Sequence, residues 1–277
     1  MIKLALFGSP IQASLSPRIH KLFAAQFDLE IEFQRIETLA ADFPDKLEEF
    51  RLAGGTGCNI TLPLKRDAWQ LATDSSAEVS QAQAANTLLS QATGWFAHNT
   101  DGAGLIADLT GNHGLDLTGQ RILIFGAGGA TAGILGNLLA QDPREIMLVN
   151  RNPQRAWDLA ERFSSVGHVN VTPLKNLPCL DLLQHGNFNL VINATSLGHQ
   201  GEAPPLTGEL FAPDAVCYDL NYFKASEPLQ EYCAELRKPY IDGLGMLVEQ
   251  AAESFHIWTG ERPESKPVIE ACRKDLQ

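Results

Sequence analysis

Short continuous apolar runs take turns along the chain with longer stretches whose apolar residues recur at helical spacing. "KLALFG" (3–8) is such a run and reads as a strand. "SPRIHKLFAAQF" follows, with Ser16 placed as a helix cap and Pro17 at the first helical position. Ile19, Leu22, Phe23 and Phe27 then give that helix one buried face. "IEFQRIE" alternates as a strand, and "ADFPDKLEEFRLAGG" predicts an amphipathic helix closed by Gly54 and Gly55. "GCNITLP" and "ANTLLS" predict strands, and "WFAHN" a shorter one.

A helix from about Asp101 leads into a second series. "RILIFG" is unbroken apolar, the mark of a parallel strand covered on both faces. "ATAGILGNLLAQ" is its helix, "EIMLVN" the next strand and "PQRAWDLAERF" the next helix. "VNVTPL", "LVINAT" and "AVCYDL" add three strands. "GMLVEQAAESFHIWTG" closes the series as a helix with Leu247, Ala251, Ser254, Phe255 and Trp258 on one side. The alternation predicts an α/β protein of two domains, each on an open parallel sheet. The expected division is 1–101 plus 243–277 for one domain and 102–242 for the other, with the last helices packed back on the first and a cleft between them.

Composition narrows the chemistry. The chain has 277 residues, enough for two cores, and 44% apolar and 19% charged residues, the balance of an ordinary soluble domain. A net charge of −12 without a basic run argues against nucleic acid, so any anion site must be local. Cys58, Cys179, Cys217, Cys233 and Cys272 form no CxxC and read as buried thiols in a reducing compartment. The histidines show no metal-ligand spacing, and no metal is expected. The N-terminus lacks the apolar stretch of a signal peptide and no run is long enough to span a bilayer, so the expectation is a cytoplasmic protein without membrane contact.

"FGAGGATAG" (125–133) carries the strongest single motif. Its glycines follow an apolar strand and open a helix, the setting in which backbone N–H groups meet a dinucleotide diphosphate. Thr131 stands where a third glycine is usual. The next strand ends at Asn150, where an NAD-binding fold carries an acid for the ribose 2′-hydroxyl. An acid would repel a 2′-phosphate, whereas Arg151 and Arg155 would attract one. Two charge-assisted bonds of about 1.5–3 kcal/mol each would favour NADP over NAD by on the order of 10²–10⁴. Arg155 can also be read as a solvated helix residue.

Lys65, after "NITLP", and Asp101, in "HNTDG", both stand at strand ends, where open α/β sheets gather ligands. Asn59, Thr61, Asn86, Asn99 and Thr100 crowd the same segments and can orient a polyhydroxylated ligand. Alcohol–carbonyl hydride chemistry needs a proton moved at oxygen, and a Lys–Asp pair can move it. Singly, Asp101 also reads as a helix cap and Lys65 as a solvated cation.

Together these stretches resemble shikimate dehydrogenases over essentially the whole chain. "GSPIQASLSPRIH", "NITLPLK", "AANTL", "NTDG", "GAGGA", "NRN..R", "INATSLG" and "DGLGMLVEQAA" occur in that family's order and spacing. The resemblance implies NADPH-dependent reduction of 3-dehydroshikimate to shikimate in aromatic amino-acid biosynthesis, by an N-terminal substrate domain and a C-terminal Rossmann-like domain. It implies that Ser14 and Ser16 bind the substrate carboxylate. Thr61, Lys65, Asn86 and Asp101 would hold the ring hydroxyls, Lys65 and Asp101 being catalytic, with Tyr222 and Gln250 completing the pocket. For the cofactor it implies a diphosphate turn of Gly126, Ala127, Gly128, Gly129 and Ala130, and a 2′-phosphate clasp of Asn150, Arg151 and Arg155. Thr195, Leu197, Gly243 and Met246 would line the nicotinamide.

Three departures from the family pattern stand out: Asn152 replaces a usual Thr, Ala132 replaces a frequent Arg, and Asn221 and Phe223 flank Tyr222 in a variable loop. The competing readings are a quinate/shikimate dehydrogenase of broader cofactor use, and a catalytically silent NADP-binding sensor on the same scaffold. A monomer or a homodimer is expected.

Overall fold

The computed structural model describes residues 1–179 and 186–275. The chain divides into two compact units, residues 1–108 with 247–277, and residues 109–246.

The first unit contains β1 (Ile2–Gly8), α1 (Ser16–Ala25), β2 (Ile31–Glu37), α2 (Phe43–Leu52) and β3 (Gly57–Ile60). It continues with α3 (Lys65–Leu71), β4 (Asp74–Ser75), α4 (Ala77–Ala82), β5 (Thr87–Gln91), β6 (Gly94–His98) and α5 (Asp101–Ile106). Its strand order is β2-β1-β3-β5-β6-β4. The sheet is mixed, which corrects the expectation of a parallel sheet in this half. β1 pairs parallel with β2 and β3, but β5 runs antiparallel to both β3 and β6. The reason is local: only Ala92 and Thr93 separate β5 from β6, too few residues for a parallel crossover. The core under this sheet gathers Phe7, Phe43, Phe50, Leu88 and Trp95, with Phe7 edge-on to Phe43 at 5.6 Å.

The second unit contains β7 (Arg121–Phe125), α6 (Gly129–Leu139), β8 (Glu145–Asn150), α7 (Pro153–Arg162) and β9 (Val169–Pro173). β10 (Phe188–Asn193), β11 (Phe211–Asp219), α8 (Glu227–Glu235) and β12 (Tyr240–Ile241) follow. All five strand pairs of this sheet are parallel, in the order β12-β11-β10-β7-β8-β9. Counted from β7, that is the 3-2-1-4-5-6 order of a dinucleotide-binding sheet, with its switch point between β7 and β10. β7 is buried at every position, as its unbroken apolar run requires.

Two further helices end the chain. α9 (Leu244–Thr259) starts in the second unit and runs into the first, and α10 (Lys266–Lys274) follows. Within the first unit, Trp258 on α9 donates its indole N–H to Leu88 O at 3.0 Å. Cys58, Cys217, Cys233 and Cys272 are buried free thiols, and the side chain of Cys179 lies outside the described residues. Among the described residues no helix is long and apolar enough to cross a membrane.

Candidate active site

Lys65 opens α3, where a cation faces the positive end of the helix dipole. Its position there is held by an anion: Nζ donates to Asp101 Oδ2 at 2.5 Å. Both side chains are largely buried, with 17% and 9% of their surface exposed. Asp101 is the first residue of α5 and Thr100 precedes it as the cap residue, so the carboxylate is free of capping duty. Its second oxygen, Oδ1, accepts from Asn86 Nδ2 at 2.8 Å. Asn86 also donates toward Thr100 Oγ1 at 2.8 Å and Gln250 Oε1 at 3.1 Å. Lys65, Asn86, Asp101 and Gln250, far apart in sequence, thus form one hydrogen-bonded cluster.

The other expected substrate residues stand in neighbouring loops. Ser9 N–H donates to Leu62 O at 2.9 Å and joins the loop after β1 to the loop after β3. Gly8 is needed there, since a Cβ on it would fall 2.8 Å from Leu62 O and closer still to Thr61. Ser16 does not cap α1, as its position had suggested; it is the first helical residue, and its N–H donates to Ser14 Oγ at 3.2 Å. Ser14 Oγ lies 3.2 Å from Ser16 Oγ, so the two hydroxyls form their own pair, apart from the Lys65 cluster. The Thr61 hydroxyl has no hydrogen bond among the described residues.

Behind the cluster lies a buried polar layer that sequence reasoning did not single out. Thr87, Ser254 and His20 are fully buried. Ser254 is four residues after Gln250 and therefore on the same face of α9. Its Oγ lies 2.7 Å from Thr87 Oγ1, 3.2 Å from Thr100 Oγ1 and 3.1 Å from Asn59 Nδ2. A serine on an otherwise apolar helix face was the one available signal, because a buried hydroxyl must find partners.

Burial lowers His20 to a pKa of about 4, with its bond to Asn59 opposing. Between pH 6.5 and 4 the unfolded chain takes up a proton that the folded chain refuses, so this group's stability is lost as pH falls. Asp219 in the second unit works in the opposite sense. Burial raises it to about 6, against bonds from Asn221, Asn193 and Tyr240, so its term is lost as pH rises through 6. Replacing His20 with Phe isolates the first effect. The stability of the variant relative to wild type is expected to gain about 2 kcal/mol between pH 7 and pH 5. Denaturant unfolding at both values checks this, and a difference that does not change with pH would contradict a neutral buried imidazole.

The second unit presents its expected cofactor residues at the carboxyl ends of its strands. Gly126 ends β7 with φ +107°, and a Cβ there would lie 2.8 Å from Ala194 O, so only glycine lets β7 and β10 approach. Thr131 has its own use: its buried hydroxyl donates to Gly126 O at 3.0 Å and closes the turn from inside. Gly128 and Gly129 are exposed, and a Cβ on either would meet nothing within 4 Å. Nothing therefore crowds Gly128 and Gly129 at the start of α6, beyond Ala127, and a helix start with unpaired amides at Gly129 and Ala130 suits a diphosphate.

Arg151 and Arg155 are exposed and pair with no carboxylate among the described residues. Asn150 Nδ2 donates to Asn152 O at 2.7 Å, and Asn152 Oδ1 caps α7 by accepting from Gln154 N–H at 3.1 Å. The departure at 152 is thus a helix cap. Ala132 is buried in α6. A hollow of about 380 Å³ is lined by Arg151, Pro153, Pro173, Leu174 and Lys175. Lys175 had not been singled out.

Beyond β10, Thr195 Oγ1 donates to Asn193 Oδ1 at 2.7 Å, and Leu197 N–H donates to Thr195 Oγ1 at 3.4 Å. Asn221 Nδ2 bridges Thr195 O at 3.0 Å and Asp219 Oδ1 at 2.8 Å, fixing the two loops to each other. Asn221, in the variable loop, is thus a structural tie. Gly243 approaches the backbone at Leu220 too closely for a side chain, and Met246 is buried. Tyr222 is half-buried, its ring 4.9 Å from Phe223 and edge-on to it, and burial raises its phenol. Phe223 has φ +56°, a backbone that a bulky residue rarely adopts. Among the described residues, no group of three or more His, Cys, Asp or Glu could hold a metal ion.

Both units match families of known proteins. Residues 6–88 match the family described as "Shikimate dehydrogenase substrate binding domain". Residues 108–200 match "Shikimate / quinate 5-dehydrogenase", and 243–273 match "Shikimate 5'-dehydrogenase C-terminal domain". The shikimate dehydrogenase (NADP(+)) of Alkalilimnicola ehrlichii is 44% identical over 98% of both chains. Among solved structures, an Ael1 enzyme from Pseudomonas putida is 35% identical with a TM-score of 0.89, covering 98% of each chain. Shikimate 5-dehydrogenase from Thermus thermophilus, solved with NADP(H) and shikimate, is 32% identical with a TM-score of 0.83 over 100% of both. On its sequence, its folds and the match of both units, the chain belongs to the shikimate dehydrogenase family.

Proposed function

We propose that this protein catalyses the reversible NADPH-dependent reduction of 3-dehydroshikimate to shikimate, with Lys65 and Asp101 as its catalytic pair. The observation that carries the reading is the buried Lys65–Asp101 ion pair, tied by Asn86 to Gln250 within a unit that matches the substrate-binding family. The substrate domain is assigned to 1–101 plus 243–277 and the NADP domain to 102–242.

Bound NADP(H) supplies the hydride exchanged with the ring carbon. The chain's own groups manage the oxygen. In the reducing direction the Lys65 ammonium donates its proton to the alkoxide that develops as the carbonyl is reduced. In the oxidising direction the Lys65 amine takes the hydroxyl proton. Asp101 holds Nζ on the reacting oxygen and accepts from a neighbouring ring hydroxyl. Asn86, Thr61 and Gln250 orient the remaining hydroxyls, Ser14 and Ser16 donate to the carboxylate, and Tyr222 is assigned to substrate binding as well. On the cofactor side, the amides of the turn and helix start from Gly126 to Ala130 would receive the diphosphate, and Asn150, Arg151 and Arg155 would hold the 2′-phosphate. Thr195, Leu197, Gly243 and Met246 line the nicotinamide, and the hollow beside Arg151 receives the adenine.

The test is direct: purified protein with shikimate and NADP⁺ should form NADPH, and no NADPH at high protein concentration would contradict the reading. Ser14→Ala adds a finer check. The carboxylate does not change charge during the reaction, so ground and transition states lose the same bond. We expect KM for shikimate to rise about tenfold to a hundredfold with kcat little altered. An unmoved KM would place the carboxylate elsewhere.

A further inference from the structure

Resting on the assignment of Asn86 and Asp101 above, we propose that His20 is a positioning residue for the reaction: its ring N–H starts a chain of hydrogen bonds that ends on the catalytic carboxylate. His20 lies on α1, fully buried, stacked on Phe33 at 4.9 Å and tilted against Trp258 at 5.2 Å. Its Nε2 is 3.0 Å from Asn59 Oδ1, and its Nδ1 has no hydrogen-bond partner among the described residues.

Backbone groups that act in only one sense orient the two amides of the chain. Asn59 Nδ2 faces the backbone carbonyl of Asn86 at 3.4 Å, which only accepts. Asn59 Oδ1 therefore points to His20, and His20 must carry its proton on Nε2 to donate. Asn59 Nδ2 also donates to Thr87 Oγ1 at 3.3 Å and to Ser254 Oγ at 3.1 Å. Thr87 has one hydrogen and two partners in reach, Asn86 Oδ1 at 3.0 Å and Ser254 Oγ at 2.7 Å, and it completes the chain by donating to Asn86 while Ser254 donates to it. The Asn86 amide is held from a second side as well, because its Oδ1 also accepts from the Thr100 N–H at 2.8 Å. Its Nδ2 therefore meets Asp101 Oδ1, whose partner oxygen receives Lys65.

Turning either amide over would set two donors or two acceptors face to face in a buried site, so each amide has one low-energy orientation. That orientation aims the Asn86 N–H at the carboxylate and fixes Asp101 against Lys65. The imidazole touches no reacting atom. Its effect passes through Asn59, Thr87 and Asn86.

His20→Phe keeps the ring and its stacking but removes the donor, and His20→Gln restores an N–H on a shorter planar group. With shikimate and NADP⁺, His20→Phe should lower kcat about tenfold, the scale of a small misplacement at a reacting centre. Its unfolding temperature at pH 7 should fall only by what one unpaired buried acceptor, Asn59 Oδ1, costs, and KM for NADP⁺ should not move. His20→Gln should recover most of the loss, which a purely structural role would not produce. Thr87→Val cuts the chain at its third donor and should lose a similar factor, keeping the question answerable if His20→Phe fails to fold. Folded His20→Phe with kcat within twofold of wild type overturns the inference, and so does His20→Gln as impaired as His20→Phe. Wild-type protein silent toward shikimate would instead overturn the parent assignment.

Discussion

Replacing Lys65 with alanine is expected to lower kcat for shikimate oxidation by about 10²–10⁴ while shikimate binding stays within a few-fold. The split follows from the geometry. Nζ lies 2.5 Å from Asp101 Oδ2 and is the cation of the cluster, so it is the group able to exchange a proton with the reacting oxygen. The ring would still be held by Ser14, Ser16, Thr61, Asn86 and Gln250, which touch parts of the substrate that do not react. Asp101 would keep its bond from Asn86 at 2.8 Å and so retain its orientation. The variant buries a carboxylate that has lost its partner, so its thermal unfolding should be measured beside its kinetics. A folded variant that keeps most of its kcat, under conditions where chemistry limits turnover, would remove Lys65 from the mechanism.

The second large effect is expected at the end of β8. Arg151→Ala removes an exposed guanidinium with no internal partner, so its loss should leave stability nearly unchanged and weaken NADP⁺ by about 1.5–3 kcal/mol. Asn150→Asp places a carboxylate where a 2′-hydroxyl would be accepted and a 2′-phosphate repelled. The double variant should shift the ratio of kcat/KM for NADP⁺ and NAD⁺ toward NAD⁺ by well over tenfold. Asn150 gives its amide only to Asn152 O, a bond that the α7 cap at Asn152 does not depend on. Shikimate KM should change little, because these residues belong to the cofactor unit. An unchanged cofactor ratio would make Arg151 a solvated surface residue.

Much of this protein was legible in its residues, for reasons that differ from element to element. β7 could be read because a strand covered on both faces must be apolar throughout. Gly126 could be read because a left-handed turn pressed against β10 admits no other residue. Lys65 and Asp101 were recognisable as candidates, but their pairing is a contact across the fold that spacing alone does not encode. The antiparallel β5–β6 hairpin was misread, since its two strands carry the same apolar signal in either direction and only the short link between them decides. Ser16 was misjudged by one position, because Ser14, two residues earlier, already supplies the oxygen that the helix start needs. The layer that His20, Thr87 and Ser254 form around Asn59 was hidden for another reason. Each is a small or ambivalent polar residue whose meaning lies in its partners, and those come from four separate elements or their edges.

The central claim is that this chain is an NADP-dependent shikimate dehydrogenase rather than a broad quinate enzyme or a silent binder. Steady-state kcat/KM for shikimate and for quinate, each with NADP⁺ and with NAD⁺, tests it most directly. The account predicts that shikimate with NADP⁺ exceeds every other combination, with NADP⁺ preferred over NAD⁺ by on the order of 10²–10⁴. Quinate turned over as well as shikimate, NAD⁺ used as well as NADP⁺, or no turnover of any pair would contradict it.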